Sequence, residues 1–131
     1  MPRALITGGT GFVGRYLQRH LEALGYEVWV TTTLAGSRVE RRRLTLDVVE
    51  RRQVDAAFEL ARPDEVYHLA GISYAALDHR RLYYDVNFLG SLNVLEAADA
   101  VGASSLLVSS AYVYGSQQGP IGETAPLSPV N

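Results

Sequence analysis

The stretch ITGGTGFVG, residues 6–14, decides the fold of this chain. It places Gly8, Gly11 and Gly14 three residues apart, between a strand-like and a helix-like segment. Gly9, Gly11 and Gly14 also satisfy the spacing G-x-G-x-x-G. Such a loop makes a tight turn, lets the backbone approach a pyrophosphate and packs a strand closely against a helix. The pattern predicts a dinucleotide-binding loop; the alternative is a glycine-rich turn that binds no ligand.

Two regular elements flank this loop. Residues 3–7 (RALIT) form a short apolar run that is typical of a buried strand, and apolar residues then recur at helical spacing until Gly25. These helix residues are Phe12, Val13, Tyr16, Leu17, Leu21 and Leu24. The phosphate groups of a bound dinucleotide would lie at the positive end of this helix, beside the backbone of Phe12 and Val13.

The rest of the chain alternates strand and helix patterns. Further strands are predicted at residues 27–33, 44–46, 65–69 and 105–109, and further helices at residues 49–61 and 78–101. The predicted inner positions of the last helix are Leu82, Val86, Leu89, Leu92 and Leu95. Strands that alternate with helices pair in parallel through right-handed crossovers. The sequence therefore predicts one α/β domain over residues 1–131, a doubly wound, Rossmann-type parallel sheet with helices on both faces.

Composition limits the possible functions. Of the 131 residues, 47% are hydrophobic and 20% are charged, as in ordinary globular proteins. The net charge of -2 gives no indication of a nucleic-acid or membrane partner. The absence of Cys excludes disulfides and zinc–thiolate sites and favours a cytoplasmic location, and no metal site is predicted. No apolar stretch is long enough for a signal peptide or a transmembrane helix.

Residues suited to ligand binding lie where the predicted strands end, at residues 7–14, 31–33, 47, 69–73 and 109–114. In open parallel sheets, ligands bind beyond these carboxyl ends. A carboxylate at the end of the second strand would bind the ribose of NAD and repel the 2′-phosphate of NADP. Thr32 holds that place, and Arg38 and the arginines at 41–43 follow. This pattern favours NADP over NAD, with a solvated loop as the alternative for residues 41–43.

Five motifs together resemble the extended short-chain dehydrogenase/reductases, the epimerase, dehydratase and reductase family that acts mainly on nucleotide sugars. They are TGGTGFVG at 7–14, LDV at 46–48, YHLAG at 67–71, YYDVN…G at 83–90 and VSSAYVYG at 108–115. The resemblance covers the whole chain. It implies a nucleotide-sugar substrate and a homodimer formed through the helix at 78–101.

The resemblance also assigns cofactor contacts. Asp47 would accept a hydrogen bond from the adenine amino group, with the backbone of Val48 beside it; Asp47 is also a candidate N-cap of the helix at 49–61. Residues at and just behind the end of the strand at 65–69 would line the cofactor, namely Leu69, Ala70, Gly71 and Ile72. His68 lies within an apolar strand and is interpreted as a packed core histidine.

Two further residues have implied roles near the reaction. Asn87 would bend its helix and order water. Ser110 matches the catalytic Ser/Thr of the family, whose hydroxyl hydrogen-bonds the substrate oxygen that gains or loses a proton. Ser109 is expected to face the other way, because alternate strand residues point to opposite sides. Tyr112 and Tyr114 could equally be packing aromatics, an interpretation that we favour for Tyr114.

The family's Tyr-x-x-x-Lys motif does not occur in this chain, which contains no Lys. The Tyr is the family's general acid or base, and the Lys lowers its pKa. We therefore expect the chain to be the amino-terminal, cofactor-binding fragment of a longer enzyme, without its carboxyl-terminal substrate-binding part. A naturally short cofactor-binding protein is the alternative.

The residues next to Ser110 bear on the reaction type. Family 4,6-dehydratases carry acidic residues where this chain has Ala111 and Tyr112, which disfavours dehydration. That leaves reduction of a 4-ketosugar or 4-epimerisation. The NADP-like features and a likeness to GDP-4-keto-6-deoxymannose reductases favour reduction. Other hypotheses are a non-catalytic NAD(P)-binding module or sensor and a domain kept only for association.

Overall fold

The computed structural model describes residues 1–34, 41–73 and 80–129. Its sheet consists of β1 (Arg3–Thr7), β2 (Glu27–Thr32), β3 (Arg43–Thr45), β4 (Glu65–His68) and β5 (Ser104–Leu107). The spatial order is β3-β2-β1-β4-β5, and all four pairings are parallel. The chain thus winds outward from β1 to one edge and then returns to build the other half from β4. This arrangement confirms the doubly wound sheet and puts the reversal of strand order between β1 and β4.

The helices follow the predicted order. They are α1 (Phe12–Ala23), α2 (Arg51–Ala61), α3 (Arg80–Tyr83) and α4 (Ser91–Val101), and a π-helical segment (Tyr84–Gly90) joins the last two without a break. A 3₁₀ turn (Ala111–Tyr114) follows β5. The predicted start of the last helix, Asp78, lies outside the described residues. None of the helices in the described part of the chain is long and apolar enough to cross a bilayer.

Helices cover both faces of the sheet because successive strand residues point to opposite sides. Leu5 faces α2 and α4 and packs with Phe58, Val66 and Val94. Its neighbours in β1 face α1 instead, in a cluster formed by Ala4, Ile6, Leu21, Val28 and Val30. Leu5 is completely buried, which is worth about 2–3 kcal/mol for a side chain of this size.

α1 presents a narrow face to the sheet. Gly14 and Leu21 are its buried residues. Several of the apolar residues whose spacing predicted the helix lie mainly in solvent instead, namely Phe12, Val13, Tyr16 and Leu24. The helical period was therefore correct, although much of the apolar pattern does not contact the core.

The predicted inner face of the last helix was wrong for three leucines, because Leu82, Leu89 and Leu92 are exposed. Val86 and Leu95 are half-buried. The buried positions are Gly90, Asn93, Val94, Ala97 and Ala98. A π-helical segment closes hydrogen bonds one residue later than an α-helix and so rotates the residues that follow it. Small side chains then let the helix lie close to the sheet, and the larger leucines face outward.

Candidate functional site

Three loops meet the carboxyl edge of the sheet near the reversal of strand order. The loop after β1 holds the glycines, the loop after β4 spans residues 69–73, and the loop after β3 spans residues 46–50. Thr7 and His68, the last residues of β1 and β4, are partners in the strand pairing. The first two loops therefore leave the sheet side by side.

Three glycines of the first loop are required by protein packing. A Cβ on Gly8 would lie 3.0 Å from the Ala70 backbone, and Gly8 has a φ of +66°. A Cβ on Gly9 would lie 2.6 Å from the Cβ of Val30. A Cβ on Gly14 would lie 2.6 Å from the Gly9 backbone. These positions hold β1, β2, β4 and α1 together and would require glycine without any ligand.

Gly11 is different. Its φ is -69°, and among the described residues an added Cβ would meet one atom, the carbonyl oxygen of Gly8, in a tight contact at 3.2 Å. Gly11 is also the N-cap of α1 and provides no side chain to cap the first turn. The first backbone N–H groups of α1, from Phe12 to Gly14, precede the first helical hydrogen bond, which Arg15 donates to Gly11. The open side of the loop thus presents backbone donors and a positive helix end.

At the end of β2, Thr32 is nearly buried, with 5% of its surface exposed. Its Oγ1 accepts hydrogen bonds from the Thr10 hydroxyl at 3.1 Å and the Leu34 backbone N–H at 3.2 Å. The Thr32 hydroxyl can still donate its own proton. The next residue, Thr33, is exposed. The sequence alone does not show which of these two threonines ends the strand, because strand ends vary by a residue.

The arginines predicted to follow β2 do not all point toward this edge. Arg42 forms an ion pair with Glu27, with 3.3 Å between Nη2 and Oε2. Glu27 is the first residue of β2, so Arg42 extends toward the amino edge of the sheet, away from the glycine loop. Arg38 lies outside the described residues, and its predicted role stays a prediction.

The loop after β3 presents Asp47 to solvent. Asp47 Oδ1 accepts a hydrogen bond from the Val49 N–H at 3.0 Å, and the Asp47 N–H donates to Gln53 Oε1 at 2.9 Å. The second carboxylate oxygen of this exposed residue keeps acceptor capacity for a ligand. The N-cap of α2 is Glu50. The capping role considered for Asp47 is therefore wrong, since its carboxylate closes a turn three residues before the cap.

The Val48 side chain is buried in the core, so this loop offers its backbone rather than its side chain. Asn93 of α4 donates from Nδ2 to the carbonyl oxygens of Val48 at 2.9 Å and Val49 at 3.2 Å. A Cβ on Gly90 would lie 2.5 Å from Val48 Cγ2, so glycine lets the helix approach. Sequence reasoning missed Asn93; a polar residue at an inner helical position was the available signal.

The loop after β4 is attached to the π-helical segment. Asn87 Oδ1 accepts from the Ile72 N–H at 2.8 Å, and Asn87 Nδ2 donates to the Ile72 carbonyl at 3.0 Å. The Ala70 N–H donates to Thr7 Oγ1 at 3.2 Å. Leu69, Ala70 and Gly71 thus run along the carboxyl edge between two anchors. Asn87 lies within the π-helical segment itself, and such segments often occur at functional sites.

His68 is buried, as its place in an apolar strand predicted. Its Nδ1 lies 2.6 Å from Thr7 Oγ1 and its Nε2 lies 2.9 Å from Ser91 Oγ. Ser91 donates to the Asn87 carbonyl at 2.7 Å, so its oxygen accepts a proton from Nε2, and Nδ1 accepts from Thr7. Burial lowers the pKa of His68 to about 4. The ring is therefore neutral and connects β1, β4 and the helix.

Ser110 lies exposed beyond β5, apart from this network. It is the N-cap of the 3₁₀ turn, and its Oγ accepts from the Tyr112 N–H at 3.2 Å. Its hydroxyl proton remains available to a ligand. Tyr112 is exposed, whereas Tyr114 is half-buried. Within the described ranges, no group of three His, Asp or Glu side chains is arranged to hold a metal ion.

The sequence and the fold were compared with known proteins. The family model described as NAD dependent epimerase/dehydratase matches residues 4–131. The chain is 34% identical to UDP-glucose 4-epimerase 4 of Oryza sativa subsp. japonica, over 97% of this chain and 40% of that protein. It is 31% identical to GDP-6-deoxy-D-talose 4-dehydrogenase of Aggregatibacter actinomycetemcomitans, over 98% of this chain and 42% of that protein.

A solved structure has the same fold. The crystal structure of Thermus thermophilus UDP-glucose 4-epimerase in complex with NAD superposes with a TM-score of 0.86 and 33% identity, over 97% of this chain and 44% of that chain. The present chain therefore spans about two-fifths of the length of the curated relatives named above.

Proposed function

The chain belongs to the NAD dependent epimerase/dehydratase family, and we propose that it binds a nicotinamide adenine dinucleotide along the carboxyl edge of its sheet. We further propose that residues 1–131 are the dinucleotide-binding domain of an enzyme that acts on a nucleotide sugar. The relatives named above support this assignment, because their names state 4-epimerase and 4-dehydrogenase activities on UDP- and GDP-sugars.

One observation carries the proposal. Gly11 is the loop glycine for which protein packing gives the weakest reason, since its φ of -69° suits any residue and an added Cβ would meet, among the described residues, a single oxygen, at 3.2 Å. Besides its place as the N-cap of α1, where glycine is favoured, the close approach of a ligand to the backbone is a reason for glycine there. The neighbouring N–H groups of α1 and its positive end suit a pyrophosphate.

The other predicted contacts fit the same ligand. Asp47 would accept a hydrogen bond from the adenine amino group through its second carboxylate oxygen, beside the Val48 backbone. Thr32 would lie under the adenosine ribose. Leu69, Ala70 and Gly71 would line the path toward the nicotinamide, with Asn87 anchoring their loop. When bound, the cofactor supplies a hydride acceptor and donor, and these residues hold it against the edge of the sheet.

NAD is the better supported cofactor. The Thermus thermophilus relative was crystallised with NAD, and the pairing of Arg42 with Glu27 removes one candidate partner for a 2′-phosphate. The preference for NADP, which rests on Thr32 and Arg38, remains a prediction. Titration of both dinucleotides distinguishes them.

For the reaction, 4-epimerisation is the first candidate. The first relative named above is a UDP-glucose 4-epimerase, and so is the solved structure. Ser110 would donate its hydroxyl proton to the sugar oxygen at the reacting carbon. Reduction of a 4-ketosugar is the second candidate, favoured by the 4-dehydrogenase relative. Ala111 and Tyr112 argue against 4,6-dehydration, because neither residue is the carboxylic acid that the family's dehydratases carry at these positions.

The acid–base group is expected to come from elsewhere. The chain contains no Lys, so it cannot provide the Tyr-x-x-x-Lys motif that the resemblance implies. The 131-residue chain should bind the dinucleotide weakly and turn over no nucleotide sugar. Measurable epimerisation of UDP-glucose by the purified 131-residue chain would contradict this assignment of roles, whereas dinucleotide binding alone fits both this proposal and a non-catalytic sensor.

A second copy of the chain is the proposed partner of the last helix. Its outward face carries the apolar residues Leu82, Tyr84, Phe88, Leu89 and Leu92, each more than a third exposed. Exposed apolar patches of this kind mark association surfaces. Sedimentation of the chain should detect a dimer that Leu89→Arg disrupts, and a monomeric wild-type chain would remove this part of the proposal.

Cofactor binding is tested by titrating NAD and NADP into the chain. Gly11→Val should abolish binding of both while the circular dichroism spectrum stays native, since the new side chain would occupy the space of the pyrophosphate. Gly122→Val is the matched control, because a Cβ there meets no atom of the described residues within 4 Å, and it should bind like wild type. Unchanged affinity in Gly11→Val would show that the loop is only a structural turn.

A further inference from the structure

A buried amide on α4 holds the loop that the proposed function assigns to adenine. Asn93 is 6% exposed and lies 45 residues from Val48 in sequence. Both of its contacts from Nδ2 go to consecutive carbonyls of that loop. An amide nitrogen has two protons, so one can serve each carbonyl. Asn93 is not among the residues assigned above to cofactor or substrate binding.

The geometry connects Asn93 to Asp47 through a single peptide group. The Val48 carbonyl and the Val49 N–H belong to the same planar peptide unit. The carbonyl accepts from Asn93 at 2.9 Å, and the N–H donates to Asp47 Oδ1 at 3.0 Å. Fixing the plane of this peptide at one end therefore fixes the direction of the N–H at the other, which in turn orients the carboxylate.

Packing around the peptide leaves it little freedom. The Val48 side chain lies in the core, and Gly90 leaves room for it where a Cβ would come within 2.5 Å of Val48 Cγ2. The Gln53 side chain accepts from the Asp47 N–H. The loop that carries Asp47 is thus fixed by hydrogen bonds to both α4 and α2, and Asp47 itself is exposed.

From these contacts we propose that Asn93 is a positioning residue for base recognition: through the Val48–Val49 peptide it orients the Asp47 carboxylate toward the amino group of adenine. This inference rests on the proposed dinucleotide function. The inference goes beyond cofactor binding. It predicts that selectivity for a base with an amino group depends on Asn93, a helix residue that does not contact the ligand.

The test compares NAD with nicotinamide hypoxanthine dinucleotide, which lacks the adenine amino group. The wild-type chain should bind NAD about ten- to a hundredfold more tightly, the range of one hydrogen bond to a charged acceptor. Asn93→Ala should reduce this ratio to about threefold or less, because the carboxylate is no longer held in place. Asp47→Asn should reduce it similarly.

The ratio of the two affinities distinguishes a positioning role of Asn93 from a role in the stability of the fold. Loss of folded protein weakens the apparent affinity for both dinucleotides by the same factor, so a merely structural role leaves the ratio unchanged. Asn93→Ser, which keeps one donor in a smaller side chain, is the second variant if Asn93→Ala does not fold. Asn87→Ala is the matched control: it removes the other amide anchor of the same helix and should weaken both ligands equally.

Each outcome bears on the inference. A wild-type ratio in both Asn93 variants would overturn it and leave cofactor binding intact. Equal binding of the two dinucleotides by wild type would overturn it as well, since Asp47 then reads no amino group. Failure of wild type to bind either dinucleotide would remove the proposed function and this inference together. A reduced ratio in the Asn93 variants but not in Asn87→Ala supports it.

Discussion

Strands β1 and β5 lie in the same sheet, separated only by β4, but their environments are opposite. Four of the five residues of β1 are buried, whereas all four residues of β5 are exposed. β1 is covered on both faces and carries the glycine loop, and β5 carries Ser110 and the 3₁₀ turn. The difference teaches that the proposed nucleotide site lies at the end of a packed central strand, whereas the proposed catalytic serine follows an exposed strand.

The loops differ in the same way. The loops after β3 and β4 are each fixed by an asparagine of the long helix. The segment after β5 is held by its own turn and by a hydrogen bond from the Ser128 N–H to the Val113 carbonyl at 2.8 Å. Local contacts of this kind open at low cost. Binding and catalysis should therefore depend on separate parts of the molecule.

The largest expected effect comes from one substitution made in both strands. Leu5→Ala in β1 should cost about 2–5 kcal/mol, the range for a leucine removed from a packed core. Leu107→Ala in β5 should cost well under half as much, because Leu107 is 47% exposed. Urea unfolding followed by the fluorescence of Trp29, the only tryptophan, measures both. Equal losses would mean that β5 is covered in solution, for example by a second copy.

A second test concerns the junction between β1 and β4. The pKa of His68 is lowered to about 4 by burial, so between about pH 6.5 and 4 the unfolded chain binds a proton that the folded chain does not. The contribution of neutral His68 to the free energy of unfolding is therefore complete above pH 6.5. It is lost as the pH falls toward 4, and the loss reaches about 3 kcal/mol.

Urea unfolding at pH 7.5 and pH 4.5 measures this loss. His68→Gln should lower stability at pH 7.5 and flatten its dependence on pH, since the titrating group is gone. His20→Gln is the matched control, because His20 lies exposed on α1, and it should keep the wild-type slope. A steep slope that survives in His68→Gln would assign the acid sensitivity to other groups.

Part of the fold and of its carboxyl edge could be predicted from the sequence. The glycine spacing and the strand ends were local patterns, and they located the parallel sheet and its carboxyl edge correctly; ligand binding by the residues at that edge stays a prediction. The inner face of the last helix was not predictable, because apolar periodicity does not reveal a π-helical segment or show that Gly90, Ala97 and Ala98 let the sheet approach. Asn93 contacts Val48, and Arg42 contacts Glu27, although the members of each pair are distant in sequence. Local patterns do not reveal such contacts; parallel strand pairing, for example, brings Arg42 close to Glu27.

A smaller effect distinguishes packing from ligand binding within the glycine loop. Gly14→Ala should destabilise the chain by about 1–3 kcal/mol through overpacking, because the new Cβ would lie 2.6 Å from the Gly9 backbone. Alanine normally stabilises a helix relative to glycine, so the sign is diagnostic. Gly11→Ala, the matched variant, should change the unfolding midpoint little and weaken NAD. A stable Gly14→Ala chain would show that α1 can move away from Gly9.

The smallest effect is expected at Arg42, on the side of the sheet opposite the proposed site. Glu27 accepts a hydrogen bond from Trp29 Nε1 at 3.0 Å, and this bond, with Arg42 and Arg3 nearby, lowers the pKa of its carboxyl. The carboxylate therefore stays ionised at neutral pH and keeps the Arg42 guanidinium at the amino edge. Because the pair is partly exposed, it adds little stability and weakens further in salt.

Arg42→Ala should accordingly leave the unfolding midpoint nearly unchanged and should not alter the ratio of NAD to NADP affinity. Paired titrations at low and high salt check both statements, with Arg38→Ala as the comparison variant, because the predicted contact with a 2′-phosphate rests on Arg38. A selective loss of NADP binding in Arg42→Ala would show that Arg42 leaves Glu27 to reach the carboxyl edge. Equal losses of both cofactors in Arg38→Ala would show instead that the loop acts through folding, and the preference for NADP would then have no residue left to support it.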